Sequence, residues 1–223
     1  GGTHNPMAPP FEFLAESFVP VLRRMGAKID LTLERPGFYP TGGGRIVATI
    51  EPSQLGPLAL EERGEVKFRR ALAQSAALPP AVSDRELRVA KDRLGLHKDS
   101  LVRKDWEDSF GPGNAFSIHL GFANVTAVFT GFGERGIRAE EVAEQAIGPS
   151  LRYIETKAAV DERLCDQILL PMAIGRGGVF TTSEPTSHTT TQVETLKTFL
   201  GGEVEIDTAD EKTWTVTMRG ALL

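Results

Sequence analysis

The chain has 223 residues, with 25 Lys and Arg against 30 Asp and Glu, for a formal charge of −5. An apolar share of 40% and a charged share of 25% exclude a disordered tail or a collagen-like repeat. The acidic balance argues against coating nucleic-acid backbones by bulk charge, though not against reading a strand end or a phosphate. No apolar run nears the roughly 18 residues of a membrane span, and Gly1 to Pro6 do not read as a secretory leader. The single cysteine, Cys165, cannot close an internal disulfide or build a zinc cluster, which fits a reducing cytoplasm.

In chain order, a Pro-rich loop through Asn5, Pro6, Pro9 and Pro10 leads into a helical run from about Phe11 to Met25. There Phe11, Leu14, Phe18, Val21 and Leu22 recur at helical spacing, and Gly26 supplies the stop. Lys28–Glu34 and Arg45–Glu51 alternate as strands, and Pro52–Gly64 reads as a loop and a boundary. From Glu65 the pattern restarts with a strand over Val66–Ala73. Ser83 and Glu86 then match a capping box for a helix to about Leu94. β-rich runs follow at Phe116–Leu120 and Val125–Phe129, then a helical run over Ile137–Ile154 broken at Gly148-Pro149. The remainder reads as a helix from about Val160, a strand near Gly178–Thr182 and a Ser/Thr-rich loop to Thr191. A helix ending at Gly201-Gly202 and a hairpin of Val204–Ile206 with Trp214–Met218 complete it. Helices alternating with mostly antiparallel strand pairs predict an α+β (mixed α/β) fold with layered sheets.

Three features have the right residue types for chemistry. Gly42-Gly43-Gly44 reads first as a tight turn needing positive φ, and otherwise as a backbone cradle for a phosphate. His188 sits at or just before a helix N-terminus, where exposed N–H groups and the helix dipole attract anions and disfavour a cation. An imidazole held there is placed to attack a phosphorus atom, although a lone histidine in a polar loop is more often simply solvated. Glu162 and Asp166, four apart, share a helix face that reads as solvated or as a contact for a metal, a ribose or a base. His119 reads as structural, His97 as solvated, and the part played by His4 depends on the proline loop.

Taken in order, the motifs say more than any one of them. Gly1-Gly2-Thr3-x-Asn5-Pro6-x-Ala8-Pro9-Pro10 is followed by Gly37-Phe38-Tyr39-Pro40-x-Gly42-Gly43-Gly44, Glu62-Arg63-Gly64 and Gly111-Pro112-Gly113-Asn114. Then come Ala158-Ala159-Val160-Asp161-Glu162-x-Leu164-x-Asp166-Gln167, Leu170-Pro171-Met172-Ala173 and Ser187-His188-Thr189. This series resembles the RNA 3′-terminal phosphate cyclases, along essentially the whole chain. The resemblance implies repeated βαβαββ units forming a large domain, with a smaller α+β domain inserted. The corresponding division is 1–63 (large domain, N-terminally incomplete), 64–155 (inserted domain) and 156–223 (last repeat, with the catalytic histidine). The family's N-terminal third has no counterpart here, so the chain matches its C-terminal two-thirds.

The resemblance further implies an ATP-dependent ligase acting by nucleotidyl transfer. His188 would be adenylylated, and AMP would pass to an RNA 3′-phosphate end, which closes to a 2′,3′-cyclic phosphate. Magnesium, as the divalent cation, would accompany ATP, with no metal-binding residue assigned in this chain. Arg163, Leu164, Cys165, Asp166 and Gln167 would line the nucleotide pocket, with Pro10 packed on the adenine. Arg163 stands where relatives often have an aromatic residue or histidine, so stacking would use its guanidinium plane. No membrane partner is expected, and a homodimer is left open. The alternative reading is a non-catalytic cyclase-like protein of ribosomal RNA processing. Proteins of that kind generally lack the motif histidine that Ser187-His188-Thr189 retains.

Overall fold

The amphipathic run after Pro10 folds as one continuous helix in a computed structural model that describes residues 1–201 and 203–219. The helix comprises α1 (Phe11–Phe13), a π-helical stretch (Leu14–Phe18) and α2 (Val19–Arg24). Pro20 lacks an N–H and its ring crowds the carbonyl four residues back, so the wider π turn falls where an α turn would clash. Phe13, Val21 and Met25 are buried, and Gly26 ends the helix at φ +104°. β1 (Lys28–Arg35) and β2 (Arg45–Glu51) then pair as an antiparallel hairpin, as their alternation predicts. Within the predicted boundary loop lies a further strand, β3 (Leu58–Leu60), with both leucines buried. Three residues are too short to show a period, and only the neighbouring strand makes them β.

The middle of the chain forms its own sheet. β4 (Val66–Ala76), β5 (Leu101–Trp106), β6 (Gly113–Phe122) and β7 (Thr126–Phe132) align in the order β5-β4-β6-β7. α3 (Ala81–Leu94) and α4 (Ala139–Ile154) contribute apolar residues to the core over this sheet, which includes Phe116, Ile118, Leu120, Ala146 and Ile147. Three expectations change here. β5 was not anticipated, because its Val102-Arg103-Lys104-Asp105 run is an exposed, charged edge. Ser83 and Glu86 form no capping box. The helix starts earlier, after Pro80, and both side chains are buried, Ser83 donating to Ser75 and Glu86 accepting from Asn114. α4 also runs unbroken through Gly148-Pro149, since helix packing outweighs one lost backbone hydrogen bond.

The chain then forms α5 (Glu162–Ile174), β8 (Gly178–Thr182), α6 (Ser187–Leu200), β9 (Val204–Asp210) and β10 (Thr213–Met218). β3, from the first part of the chain, adds parallel to β8 in a sheet ordered β3-β8-β10-β9. A single parallel bridge from Val160 to Thr182 precedes α5, so this stretch reads bridge-α-β-α-β-β. One core runs through both ends of the chain, with Phe13, Leu58 and Leu60 beside Leu164, Phe180 and Val216. The fold is mixed α and β, as expected. Gly202 and residues 220–223, which the sequence reading put in the last segment, lie outside the described residues.

Polar side chains join the two cores. The Arg63 guanidinium donates to the carbonyl oxygens of Tyr153, Ile154 and Thr156 at 2.7–3.1 Å and stacks on Phe122 and Tyr153. It thereby caps the C-terminus of α4, where backbone carbonyls lack helical partners. Arg63→Ala removes the guanidinium from the Ile154 and Thr156 carbonyls, while Tyr153 O keeps the Thr156 amide and hydroxyl, and it is expected to cost about 2–4 kcal/mol in urea unfolding.

Candidate active site

Two helices begin side by side at one end of the β3-β8-β10-β9 sheet. At the start of α6, the Thr186 hydroxyl accepts from the amides of His188 (3.2 Å) and Thr189 (3.4 Å), while the Thr189 hydroxyl accepts from the Thr186 amide (3.2 Å). This reciprocal cap starts the helix at Ser187, earlier than the loop to Thr191 predicts, because Thr186 and Thr189 close it. His188 is therefore the second residue of the helix, and it is exposed. The cap also occupies the His188 and Thr189 amides, so the attraction for an anion here comes from the helix dipole more than from those groups.

At the start of α5, the Asp161 carboxylate accepts from the amides of Arg163 (2.8 Å) and Leu164 (3.2 Å). Asp161 is buried, one of its oxygens has no partner, and burial pushes its carboxyl up to about 6. Helical spacing then sorts the predicted site residues. Arg163, Asp166 and Gln167, at i, i+3 and i+4, line one cleft together with His188 and Pro10. Leu164 and Cys165 face the opposite way into the core with no exposed surface, so these two members of the predicted nucleotide set do not line the cleft. Burial pushes the Cys165 thiol up to about 12, which leaves no thiolate for chemistry. The two helices are tied by the Thr189 hydroxyl, which donates to Asp166 at 2.6 Å. Burial raises the Asp166 carboxyl above its ordinary value, against the lowering effect of Thr189 and the nearby His188.

The cleft has a volume of about 670 Å³. One wall is the loop Pro6–Pro10, continued by Phe13. That loop is anchored from behind, where Thr3 and His4 amides donate to Gly37 O, and the His4 ring, stacked on Phe38, reaches Glu12 at 2.9 Å. The other sheet and its helix also line the cleft, with Val128 and Phe132 on β7 and Gln145 and Pro149 on α4. Sequence reading did not find these four. No motif spacing connects them to His188, and only the packing of the two units brings them near.

The remaining candidates fall elsewhere. Gly42 and Gly43 take φ +70° and +78° in a turn packed against Gly1 and Phe110, away from the cleft. His119 is buried on β6 beside Ser117, Glu16 and Arg70, and His97 is exposed after α3. Glu162 opens into a separate cavity with Trp214, so it does not share the cleft with Asp166. Asp166 is the single carboxylate lining the cleft, and no group of three His, Cys, Asp or Glu suited to a metal ion occurs among the described residues.

The raised Asp161 carboxyl has a testable sign. Its folded-state value lies above the ordinary 3.8, so the folded state holds the proton more tightly and this group favours folding less as pH rises from about 4 to about 6. Asparagine caps a helix as well and cannot ionise. Asp161→Asn is expected to lose that decline and to match or exceed the wild-type stability at neutral pH, measured by denaturant unfolding across this range.

The RNA 3′-terminal phosphate cyclase family matches residues 1–206. Relatives named RNA 3′-terminal phosphate cyclase include one from Pseudomonas fluorescens, 45% identical over 205 residues, covering 92% of this chain and 60% of the relative. Another from Koribacter versatilis is 46% identical over 207 residues (92% and 58%), and one from Ectopseudomonas mendocina is 40% identical over 219 residues (98% and 64%). The chain thus spans about three fifths of the length of these relatives. With a family match over residues 1–206 and relatives 40–46% identical over most of its length, the chain belongs to the RNA 3′-terminal phosphate cyclase family.

Proposed function

We propose that this chain carries the nucleotidyl-transfer site of an ATP-dependent enzyme that converts an RNA 3′-terminal phosphate into a 2′,3′-cyclic phosphate. The observation that carries this reading is the convergence of His188, Asp166, Gln167, Arg163 and Pro10 on one cleft. The relatives' shared name supplies the substrate class. A ring nitrogen of His188 attacks the α-phosphorus of ATP, the bond to the bridging oxygen breaks, and pyrophosphate leaves. The resulting phosphoramidate passes AMP to an oxygen of the RNA 3′-phosphate, and His188 is released. The ribose 2′-hydroxyl, losing its proton, then attacks the 3′-phosphorus and expels AMP. Capping the phosphate supplies a good leaving group and divides one hard displacement into easier ones.

The protein's part is placement. The helix dipole at the start of α6 favours the phosphates beside His188. Asp166, fixed by the Thr189 hydroxyl, and Gln167 present polar groups to the nucleoside, and Pro10 and Arg163 present flat surfaces to the base. The donor set does not form a magnesium cage, with one carboxylate in the cleft, so no step is drawn through the ion. We assign magnesium to the triphosphate, since this ion is commonly held by one or two carboxylates plus substrate phosphates. We further propose that 64–155 is a domain inserted into a larger one formed by 1–63 and 156–223, supported by the two separate cores. No helix among the described residues is long and apolar enough to cross a membrane. A cytoplasmic location is proposed on the lone reduced Cys165, and a homodimer remains a proposal.

The test is incubation with magnesium and ATP labelled in the α-phosphate, followed by denaturing electrophoresis. Acid-labile label on the protein is expected, and none on His188→Ala, whose circular dichroism should match the wild type. Label retained by that variant overturns the nucleophile. If the wild-type chain takes no label, the same assay on a chain extended upstream of Gly1 separates a partial active site from the non-catalytic reading in ribosomal RNA processing.

A further inference from the structure

Gln145 is the polar side chain that the β4–β7 unit contributes to the cleft, and its chemistry is restricted by its neighbour. Its Oε1 accepts the backbone N–H of Phe132 at 3.1 Å. That bond fixes the orientation of the exposed amide, so its NH2 group, which has no partner among the described residues, is the donor it offers. The placement depends on Gly131. A Cβ there would lie 2.2 Å from the Val142 carbonyl oxygen and 3.0 Å from the Gln145 Cβ, so only glycine lets α4 approach β7 this closely. Phe132, whose amide Gln145 accepts, and Pro149, one helical turn on, line the cleft together with Val128, Pro10 and Phe13 as apolar surface. Transfer requires the phosphate at His188, which leaves this apolar surface for the ring.

We propose that Gln145 reads the base of the nucleotide, donating from Nε2 to a ring nitrogen of adenine, so that the second unit contributes directly to substrate recognition. This rests on the cleft being the ATP site. An amide held by its own oxygen is a rigid donor, and it discriminates through the acceptor it faces rather than by adapting to several.

Gln145→Glu separates recognition from support, because a carboxylate still accepts from the Phe132 amide yet has nothing to donate. ATP affinity is measured by calorimetry on the full chain, for wild type and variant, against ATP and its 1-, 3- and 7-deaza forms. Loss of one such hydrogen bond is expected to weaken ATP binding by about tenfold. One deaza form should show the same loss with the wild type and no further loss with the variant. Unchanged ATP affinity in Gln145→Glu overturns the proposal. So does a loss equal across all four nucleotides, which reports charge repulsion or altered structure. If wild type binds ATP and labels His188 while the variant binds ATP equally well, the base contact alone is wrong. If the wild-type chain does not bind ATP, the ATP reading of the cleft fails, and this proposal with it.

Discussion

A hydrogen bond of 2.6 Å from the Thr189 hydroxyl to Asp166 holds the first turn of α6 against the second turn of α5. Both helices start beside β8, one capped by Asp161 next to the Val160–Thr182 bridge and the other by Thr186. Thr189 closes the cap of its own helix while pinning its neighbour, so one hydroxyl both places His188 and orients Asp166. A charge-assisted O–H···O⁻ bond of this length is stronger than a neutral one. Its half-buried setting makes loss of either partner costly.

The cleft also needs a second wall, and that wall is positioned through buried polar chemistry. On one side of the first helix, Glu12 meets His4 and Gln74, and Gln74 in turn accepts from the Trp106 indole. Burial by itself would raise the Glu12 carboxyl, but the His4 ring and the Gln74 amide outweigh it and hold the group at about 2. A turn further on, Glu16 accepts from Arg70 and lies 2.9 Å from His119, both on the second sheet. Such networks give directional registry that apolar contact alone lacks, at the cost of desolvating every member. Because the first helix carries Phe13 and the second sheet carries Phe132, fixing one on the other sets the width of the cleft.

Much of this was legible in the residues. Period-two alternation found β1 and β2, β-rich composition found β6 and β7, and helical spacing found the first helix, which Gly26 stopped where expected. Errors came where local pattern and tertiary context disagreed. Ser83 and Glu86 have capping-box spacing, yet each found a partner across the fold, in Ser75 and Asn114. β5 failed to show because an edge strand carries charge on both faces, and Pro149 suggested a break that packing on the second sheet overrides.

The sequence by itself determined most of the element types, the ordered motifs and the identity of His188, Asp166 and Gln167 as residues worth placing together. These depend on local periodicity, on capping chemistry and on a linear series of motifs, all of which survive in one dimension. Only the tertiary structure decided that Leu164 and Cys165 turn into the core while Arg163 faces the cleft, since that depends on which side of α5 meets the sheet. It likewise decided that Gln145, Phe132 and Pro149 share a cleft with His188. Those residues lie tens of positions away in the chain, and no local rule relates them. The close approach of two separately folded cores does.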